Sequence, residues 1–169
     1  MVMSAHTHTE PRIVQRSEQP YVAIRRSVTM ETFGAIADRI PEVFDWLAAR
    51  GSEPAGAPFF RYHVVDMPRL VVEAGVPVAA VAAAAGDVVP GVLPAGRYAT
   101  VTHVGHPDEL LDVTATLLEW ADQQDLDWDM ADTDDGQRWG CRLEVLKTDP
   151  SDEPDLNTWE TDLAFRLAD

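Results

Sequence analysis

The stretch GCRLEVL, residues 140–146, has a counterpart in FRYHV, residues 60–64. When CRLEV is aligned with FRYHV, Arg142 falls on Arg61 and the final valines coincide. Alternating polarity in both stretches is typical of half-buried strands. Each stretch follows a segment with a helical pattern, so the correspondence extends beyond one strand. We therefore interpret the chain as an internal duplication.

Two successive segments show the same order of strand, helix, strand and strand. Apolar residues recur at steps of three and four in each helical part, and FDWL (44–47) corresponds to LEWA (118–121). Pro41 either begins a new helical turn or kinks the first helix. The predicted strands lie at 21–26, 59–65 and 69–78, then at 96–104, 138–146 and 158–167, with helices at 33–47 and 107–120.

This order predicts an α+β fold, a tandem β-α-β-β duplication with pseudo-twofold symmetry. One helix cannot cover both faces of a small sheet, so we expect the two repeats to join and cover each other's exposed faces. The helices then cover one side of antiparallel sheets, and the other faces meet in a central ligand groove. We predict a single domain over 20–169, with repeats at about 20–78 and 96–168, a linker at 79–95, an acidic loop at 125–137 and a flexible N-terminal arm at 1–19.

The charge of the chain restricts its partners. Among 169 residues there are 13 Lys and Arg and 29 Asp and Glu, which gives a formal net charge of −16. Such a surface repels phosphate backbones and anionic membranes, so neither nucleic acid nor a membrane is an expected partner. It attracts a cationic ligand, although acidity that serves solubility alone is the competing explanation.

Few residues suit a metal or a redox role. The single cysteine, Cys141, excludes an intramolecular disulfide and a Cys-rich zinc site, and its predicted strand makes it a small buried hydrophobe. His63, His103 and His106 lack the spacing of a metal site, and His103 has the helix-facing register of a core residue. No glycine-rich phosphate loop is present. We expect no cofactor and, because no secretion signal is found, a cytoplasmic protein.

Several motifs resemble those of the GyrI-like small-molecule-binding domains, the effector-binding domains of AraC- and MerR-type regulators. The resemblance covers nearly the whole chain and rests on GVPV (75–78), VLPAGRYATVTHVG (92–105), LLEW (117–120), WGCRLEVLKTDP (139–150) and PDLNTWETDLAF (154–165). It implies a tandem β-α-β-β fold with a central pocket. It also implies a ligand that is bulky, aromatic and often cationic.

The same resemblance assigns Glu144 the position of the buried glutamate that meets the cation in multidrug-sensing members. The family often has a tyrosine two residues later, where this chain has Leu146. The pocket is therefore expected to contain fewer phenols than is usual in the family. The residues that could replace the lost ring area are Trp128, Trp139 and Trp159.

Alternation along 140–146 places the polar side chains on one strand face and the apolar side chains on the other. Because the apolar face suits the helix layer, we predict that Glu144 points away from the helices into the groove. The correspondence between the halves places His63 opposite Glu144 and Arg61 opposite Arg142. The predicted ligand-binding residues are Glu144, His63, Arg61, Arg142, Tyr21, Tyr98, Leu146, Trp139 and Trp159.

Each of these assignments has a structural alternative. Glu144 could form a salt bridge with an arginine and have no ligand role. His63 could make a structural hydrogen bond, and Trp139 and Trp159 could belong to the core. Against the first alternative, a carboxylate in a low-dielectric cleft is costly without a partner. An organic cation surrounded by aromatic rings would supply one.

Three functions follow from the residues and the resemblance. The first is a protein that senses or sequesters bulky aromatic cations. We expect it to be a stand-alone domain, because the segment before Tyr21 is too short for a helix-turn-helix. A separate regulatory protein could act with it. The second is a hydrolase of electrophilic cyclopropane-containing natural products. There, Glu144 is the catalytic residue that activates or positions water, and a tyrosine or His63 stabilises the leaving oxygen. The third is an acidic inhibitor that binds DNA gyrase.

Overall fold

A computed structural model of the protein describes residues 7–80, 83, 85–149 and 152–169. These residues form one antiparallel sheet of eleven strands and three α-helices, which confirms the predicted α+β class. The strands are β1 (Thr7–His8), β2 (Arg12–Arg16), β3 (Gln19–Thr29), β4 (Phe59–Asp66), β5 (Arg69–Pro77), β6 (Val89–Leu93), β7 (Gly96–Val104), β8 (Met130–Thr133), β9 (Gly136–Trp139), β10 (Arg142–Leu146) and β11 (Glu160–Arg166). The helices are α1 (Gly34–Ala37), α2 (Ile40–Ala49) and α3 (Leu110–Gln123), with short 3-10 helices at Pro107–Glu109 and Leu156–Thr158.

The sheet order brings strands of the two halves together at its centre. It runs β1-β7-β11-β10-β4-β5-β3-β6, while β2 pairs with β7 and the β8–β9 hairpin lies beside β4. From the central pair β10–β4 outward, the order β10, β11, β7 on one side corresponds to β4, β5, β3 on the other. The central pair β10–β4 therefore brings one strand from each predicted repeat together.

The helices cover one face of this sheet. Ile36, Val43 and Leu47 of α1 and α2 are buried in a hydrophobic cluster with β3, β4 and β5. Val113 and Leu117 of α3 are buried in a separate cluster with β7 and β11. Each helix buries the apolar stripe that its sequence predicts.

Local sequence explains where the helices begin. Pro41 lies in the first turn of α2, where its missing N–H is not needed, so it begins a new helix instead of kinking a long one. Before α3, Nδ1 of His106 accepts a hydrogen bond from the backbone N–H of Asp108, and Glu109 accepts one from the backbone N–H of His106. This reciprocal cap starts the helical segment. None of the described helices has the length and apolar character needed to cross a membrane.

The opposite face of the sheet is buried as well. Tyr21, Phe59, Tyr98 and Leu143 belong to one hydrophobic cluster there. Tyr21 lies on β3 and Tyr98 on β7, close to the two ends of the strand order, so the sheet must curl to bring their side chains together. Both faces of the central strands are therefore interior.

Three segments that were predicted to be irregular belong to the sheet. The described part of the predicted flexible arm contains β2, which pairs with β7, whereas residues 1–6 lie outside the described residues. The predicted linker contains β6, which pairs with β3; its residues 81, 82 and 84 also lie outside the described residues. The predicted acidic loop contains β8 and the first two residues of β9, which form a hairpin. The predicted strand at 138–146 is divided, because β9 ends before Gly140 and β10 begins after Cys141.

Candidate functional site

A cavity of about 710 Å³ lies between the two helical units, on the helix-facing side of the sheet. Helices α1 and α2 form one wall, α3 and the 3-10 helix before it form another, and the central strands form the base. Mostly apolar walls with a few charged groups are typical of small-molecule sites. The wall residues include Phe33, Ala37, Ile40, Leu110, Leu111 and Thr114, and the base includes Phe60, Tyr62, Arg142, Glu144, Leu146 and Thr161.

Glu144 supplies a negative charge at the base of the cavity. It lies on β10, with Phe60 of β4 and Leu163 of β11 as its direct neighbours across the sheet. The hydroxyl of Tyr62 donates a hydrogen bond to Oε1 of Glu144. Burial raises the pKa of Glu144 above its ordinary value, although the bond from Tyr62 and the charge of Arg142 act in the opposite direction. The carboxylate therefore remains costly to ionise, and it keeps lone pairs available for a ligand.

Aromatic side chains surround this carboxylate. Burial, together with the negative charge of Glu144, raises the pKa of Tyr62 well above its ordinary value, so the phenol stays protonated as a donor. The ring of Phe33 stacks on Tyr62 with a centroid distance of 6.1 Å and meets Phe60 edge-on at 4.9 Å. Glu144 thus lies near three rings, those of Phe60 and Tyr62 at the base of the cavity and that of Phe33 in its wall.

Arg142 is the second charged residue at the base. Its guanidinium carbon lies 4.6 Å from the ring centroid of Phe165, 4.8 Å from that of Trp139 and 5.7 Å from that of Tyr62. Its Nε is buried and has no hydrogen-bond partner within the part of the chain that the structure describes. Burial lowers the pKa of Arg142, against the opposing effect of Tyr62 and Glu144. Aromatic rings pack against the guanidinium, but its buried Nε–H group has no hydrogen-bond acceptor among the described residues.

The mouth of the cavity is apolar and acidic. Leu111 and Met67 are exposed by 57% and 54%, which is high for large apolar side chains at the edge of a cavity. Asp38 and Asp108 also line the cavity, and both are exposed. Trp159 lies there too, and its Nε1 donates a hydrogen bond to the carbonyl oxygen of Glu153 at 2.8 Å. An amphipathic cation approaching this opening meets apolar surface and negative charge together.

A different polar cluster lies on the opposite face of the sheet. Glu73 of β5 accepts a hydrogen bond from the hydroxyl of Tyr21 at 2.5 Å and another from Nε2 of His63. The NH1 group of Arg61 donates to the Tyr21 hydroxyl at 2.9 Å, and its NH2 group donates to the carbonyl oxygen of Gly140 at 2.7 Å. Burial alone would raise the pKa of Glu73, but these neighbours outweigh it and lower the pKa. The cluster therefore holds an ionised carboxylate whose Oε1 accepts both hydrogen bonds.

The structure divides the predicted site residues between these two faces. Glu144, Arg142, Leu146 and Trp159 line the helix-side cavity, and Trp139 is buried next to Arg142. The residues on the opposite face are Tyr21, Arg61, His63 and Tyr98. Tyr98 donates a hydrogen bond to the carbonyl oxygen of Pro94 and lines a smaller cavity of about 450 Å³ there. The prediction that all nine residues converge in one cleft is wrong.

The predicted orientation of Glu144 is also wrong. Glu144 faces the helical units, while its apolar neighbours Leu143 and Val145 face the cluster enclosed by the curled sheet. The sequence-based reasoning assumed that only the helix side is apolar. Nor does His63 lie opposite Glu144: Phe60 does, and the pairing of β4 with β5 shifts register between Tyr62 and Val64, on either side of His63.

The sequence analysis did not identify Tyr62 as the hydrogen-bond partner of Glu144. A usable signal exists, because residues that directly face each other on central strands share a sheet face. Phe60 faces Glu144, and Tyr62 lies two residues further along the same face of β4. The register itself, however, is not visible in the sequence. Cys141 and His103, by contrast, are buried as predicted.

The GyrI-like small molecule binding domain family matches residues 9–167, nearly the whole chain. The chain belongs to this family. The resemblance inferred from the sequence motifs is thereby confirmed, and with it the general assignment to small-molecule-binding domains. No curated protein matches this GyrI-like chain.

Among its described residues, no group of three or more His, Cys, Asp or Glu side chains could hold a metal ion.

Solved structures similar to this GyrI-like domain share its fold. The EcmrR C-terminal domain matches with a TM-score of 0.74 at 18% identity, covering 94% of this chain and 97% of that one. EcmrR bound to DNA matches with a TM-score of 0.76 at 19% identity. The match covers 94% of this chain but only 57% of the EcmrR chain, so the GyrI-like chain corresponds to part of EcmrR. SAV2435 bound to tetraphenylphosphonium gives 0.66 at 8% identity, with coverage of 95% and 94%. A hydrolase from Listeria innocua gives 0.64 at 11% identity, with coverage of 94% and 92%.

The raised pKa of Glu144 leads to a stability prediction for the GyrI-like domain. A carboxyl group with a raised pKa in the folded state destabilises the fold as pH rises from its ordinary value, 4.5, through the raised one. At pH 7, Glu144→Gln should therefore be as stable as the wild type or more stable, by about 1 kcal/mol. The advantage should shrink at pH 4. Urea unfolding at both pH values measures it, and a clearly less stable variant at pH 7 would contradict it.

Proposed function

We propose that this GyrI-like domain binds bulky aromatic cations in the cavity between its helical units, with Glu144 as the partner of the positive charge. One observation carries this proposal: the carboxylate lies at the base of an apolar, solvent-open cavity of about 710 Å³ with Tyr62 as its hydrogen-bond donor. A volume of this size suits a drug-sized ligand.

The energetics favour a cation over a neutral ligand. The desolvated carboxylate of Glu144 is stabilised when a positive charge replaces lost water. Phe33, Phe60 and Tyr62 offer aromatic faces near the same point, and a desolvated cation over such a face gains about 2 kcal/mol. The net charge of −16 raises the local concentration of cations around the molecule.

The structural comparisons support the same ligand class. SAV2435, which shares the fold, is bound to tetraphenylphosphonium, an aromatic cation. The corresponding strand order on the two sides of the central pair β10–β4 supports the tandem duplication that we infer from the sequence. Sensing or sequestration of such compounds is the physiological role that we propose, in the cytoplasm and without direct contact with nucleic acid.

A titration of rhodamine 123, a cationic dye, tests the proposal. We expect micromolar binding to the wild type and a loss of about tenfold or more, roughly 1.4 kcal/mol, in Glu144→Gln. Glu119→Gln removes an exposed carboxylate from α3 and serves as the matched control, with binding within twofold of the wild type. Equal binding by Glu144→Gln and the control would remove Glu144 as the cation's partner.

Hydrolysis is a second candidate function, supported by the hydrogen bond between Tyr62 and Glu144. Burial raises the pKa of Glu144, and a base with a raised pKa is better matched to proton abstraction from water near neutrality. Tyr62 would then stabilise the developing negative charge, a role that His63 cannot fill from the opposite face. Turnover of an electrophilic cyclopropane compound that disappears in both Glu144→Gln and Tyr62→Phe would support this function. Turnover unchanged in Glu144→Gln would exclude it.

A further inference from the structure

Arg142 places a positive charge in the same cavity as the negative charge of Glu144. The presence of both charges restricts the class of ligand that the cavity can bind. Both residues line the base of the cavity. No ion pair joins them within 4.0 Å in the described part of the chain, so the guanidinium does not neutralise the carboxylate by direct contact. A ligand that carried a single positive charge would be attracted by Glu144 and repelled by Arg142.

The hydrogen-bonding state of Arg142 indicates what a better ligand would carry. A guanidinium has five N–H donors in a planar fork. Among the described residues no hydrogen bond or ion pair of Arg142 is found, and its buried Nε has no partner. The rings of Trp139, Phe165 and Tyr62 hold the guanidinium through their faces and leave its edge without acceptors. A carboxylate is the group that matches such a fork with two parallel hydrogen bonds.

We propose that the cavity takes zwitterionic aromatic compounds, whose cation meets Glu144 and whose carboxylate meets Arg142. This inference rests on the proposed function of the cavity and deepens it. The ligand then satisfies both charges of the base, and neither the acid nor the arginine remains desolvated without a partner. Specificity against simple cations follows, since a ligand without the carboxylate leaves the Arg142 fork unsatisfied.

Rhodamine 110 and rhodamine 123 form a matched pair of probes. They share the same cationic xanthene ring system, and the first has a free carboxylate where the second has a methyl ester. The long-range field of a protein with a net charge of −16 works against the carboxylate dye. A preference for that dye must therefore come from a local positive group.

Isothermal titration calorimetry at 150 mM salt measures both dyes without relying on their fluorescence. We expect the wild type to bind rhodamine 110 at least tenfold more tightly than rhodamine 123. In Arg142→Met the two dyes should bind within threefold of each other, with rhodamine 123 bound no more weakly than by the wild type. Glu144→Gln should weaken both dyes by a similar factor and leave their ratio unchanged. Arg142→Lys keeps the charge without the fork and should show an intermediate preference.

The outcomes separate this inference from the function on which it rests. If rhodamine 123 binds the wild type as tightly as rhodamine 110, while Glu144→Gln weakens it, the cation site stands and the zwitterion inference is overturned. A preference for rhodamine 110 that survives in Arg142→Met, with cooperative unfolding retained, also overturns it. If neither dye binds the wild type, the proposed function fails and the inference fails with it.

Discussion

Replacing Glu73 with alanine is expected to lower the free energy of unfolding by about 3–5 kcal/mol, the usual result of removing one partner of a buried charged network. Glu73 is 4% exposed and accepts hydrogen bonds from Tyr21 and His63. Without it, the hydroxyl of Tyr21 and the imidazole of His63 lose their acceptor, and Arg61 loses the nearest compensating charge. Urea-induced unfolding of the wild type and the variant, with equal slopes, measures the difference.

The position of this network explains why the loss is large. Arg61 binds the carbonyl oxygens of Val92, on β6, and Gly140, at the break between β9 and β10. The network thus joins β3, β4 and β5 to β6 and to the break between β9 and β10. Tyr21 reaches Glu73 because Gly91 leaves room for its ring, since a Cβ at position 91 would lie 2.4 Å from the ring carbon Cζ.

Two variants test whether the carboxylate itself is responsible. Glu119→Ala removes an exposed carboxylate from α3 and should change stability by less than 0.5 kcal/mol. Glu73→Gln keeps an acceptor for Tyr21 and should lose less than Glu73→Ala. Because the neighbours lower the pKa of Glu73, its stabilising effect is present above pH 4.5 and disappears as pH falls through the lowered pKa. The difference between wild type and Glu73→Gln should shrink accordingly in acid. A loss below 1 kcal/mol in Glu73→Ala would contradict the prediction.

The elements predicted from the sequence are those with one clearly buried face. The stripe containing Ile36, Val43 and Leu47 packs on the sheet as predicted, and so does the stripe containing Val113 and Leu117. A period of 3.6 or 2 is detectable whenever one side of an element is apolar and the other polar. The order of helices and of the main strands could therefore be predicted before any tertiary contact was known.

The missed strands lack this contrast between their faces. β8 contains Met130 as its one large apolar residue, and its acidic neighbours suggested a loop. β6 contains Pro90 and Gly91, which normally indicate irregular structure, yet it pairs with β3 and is the last strand at that end of the sheet. These segments are strands because an existing sheet edge offers hydrogen-bond partners, and that is a tertiary property.

For the candidate site, the sequence pattern predicts which residues share a strand face but not which layer that face meets. Alternation correctly places Arg142, Glu144 and Leu146 on one face of β10, but it does not say which face meets the helices. That choice follows from the curl of the sheet, which buries Tyr21 and Tyr98 together on the opposite side. The family resemblance predicted a ligand role for Glu144 without this information. Its hydrogen-bond partner Tyr62 could be found only from the strand register.

Filling the cavity with two indole rings is expected to weaken binding of rhodamine 123 by about 100-fold or more, roughly 2.7 kcal/mol. Ala37 and Thr114 line the cavity from α1 and α3, and both are small. In the double variant Ala37→Trp/Thr114→Trp, each wall gains an indole ring within a space of about 710 Å³. A dye with several fused rings then no longer fits beside Glu144. Calorimetric titration of the dye measures the effect.

The same substitutions on the outer sides of the same helical segments provide the control. Ala35 and Thr116 are exposed, so Ala35→Trp/Thr116→Trp adds equal ring area without entering the cavity. This control should bind rhodamine 123 within threefold of the wild type, and both double variants should unfold cooperatively. If the cavity-filling variant also binds within threefold, the dye occupies another site. The smaller cavity of about 450 Å³ on the opposite face, lined by Tyr98 and Phe59, would then be the place to test by substitution.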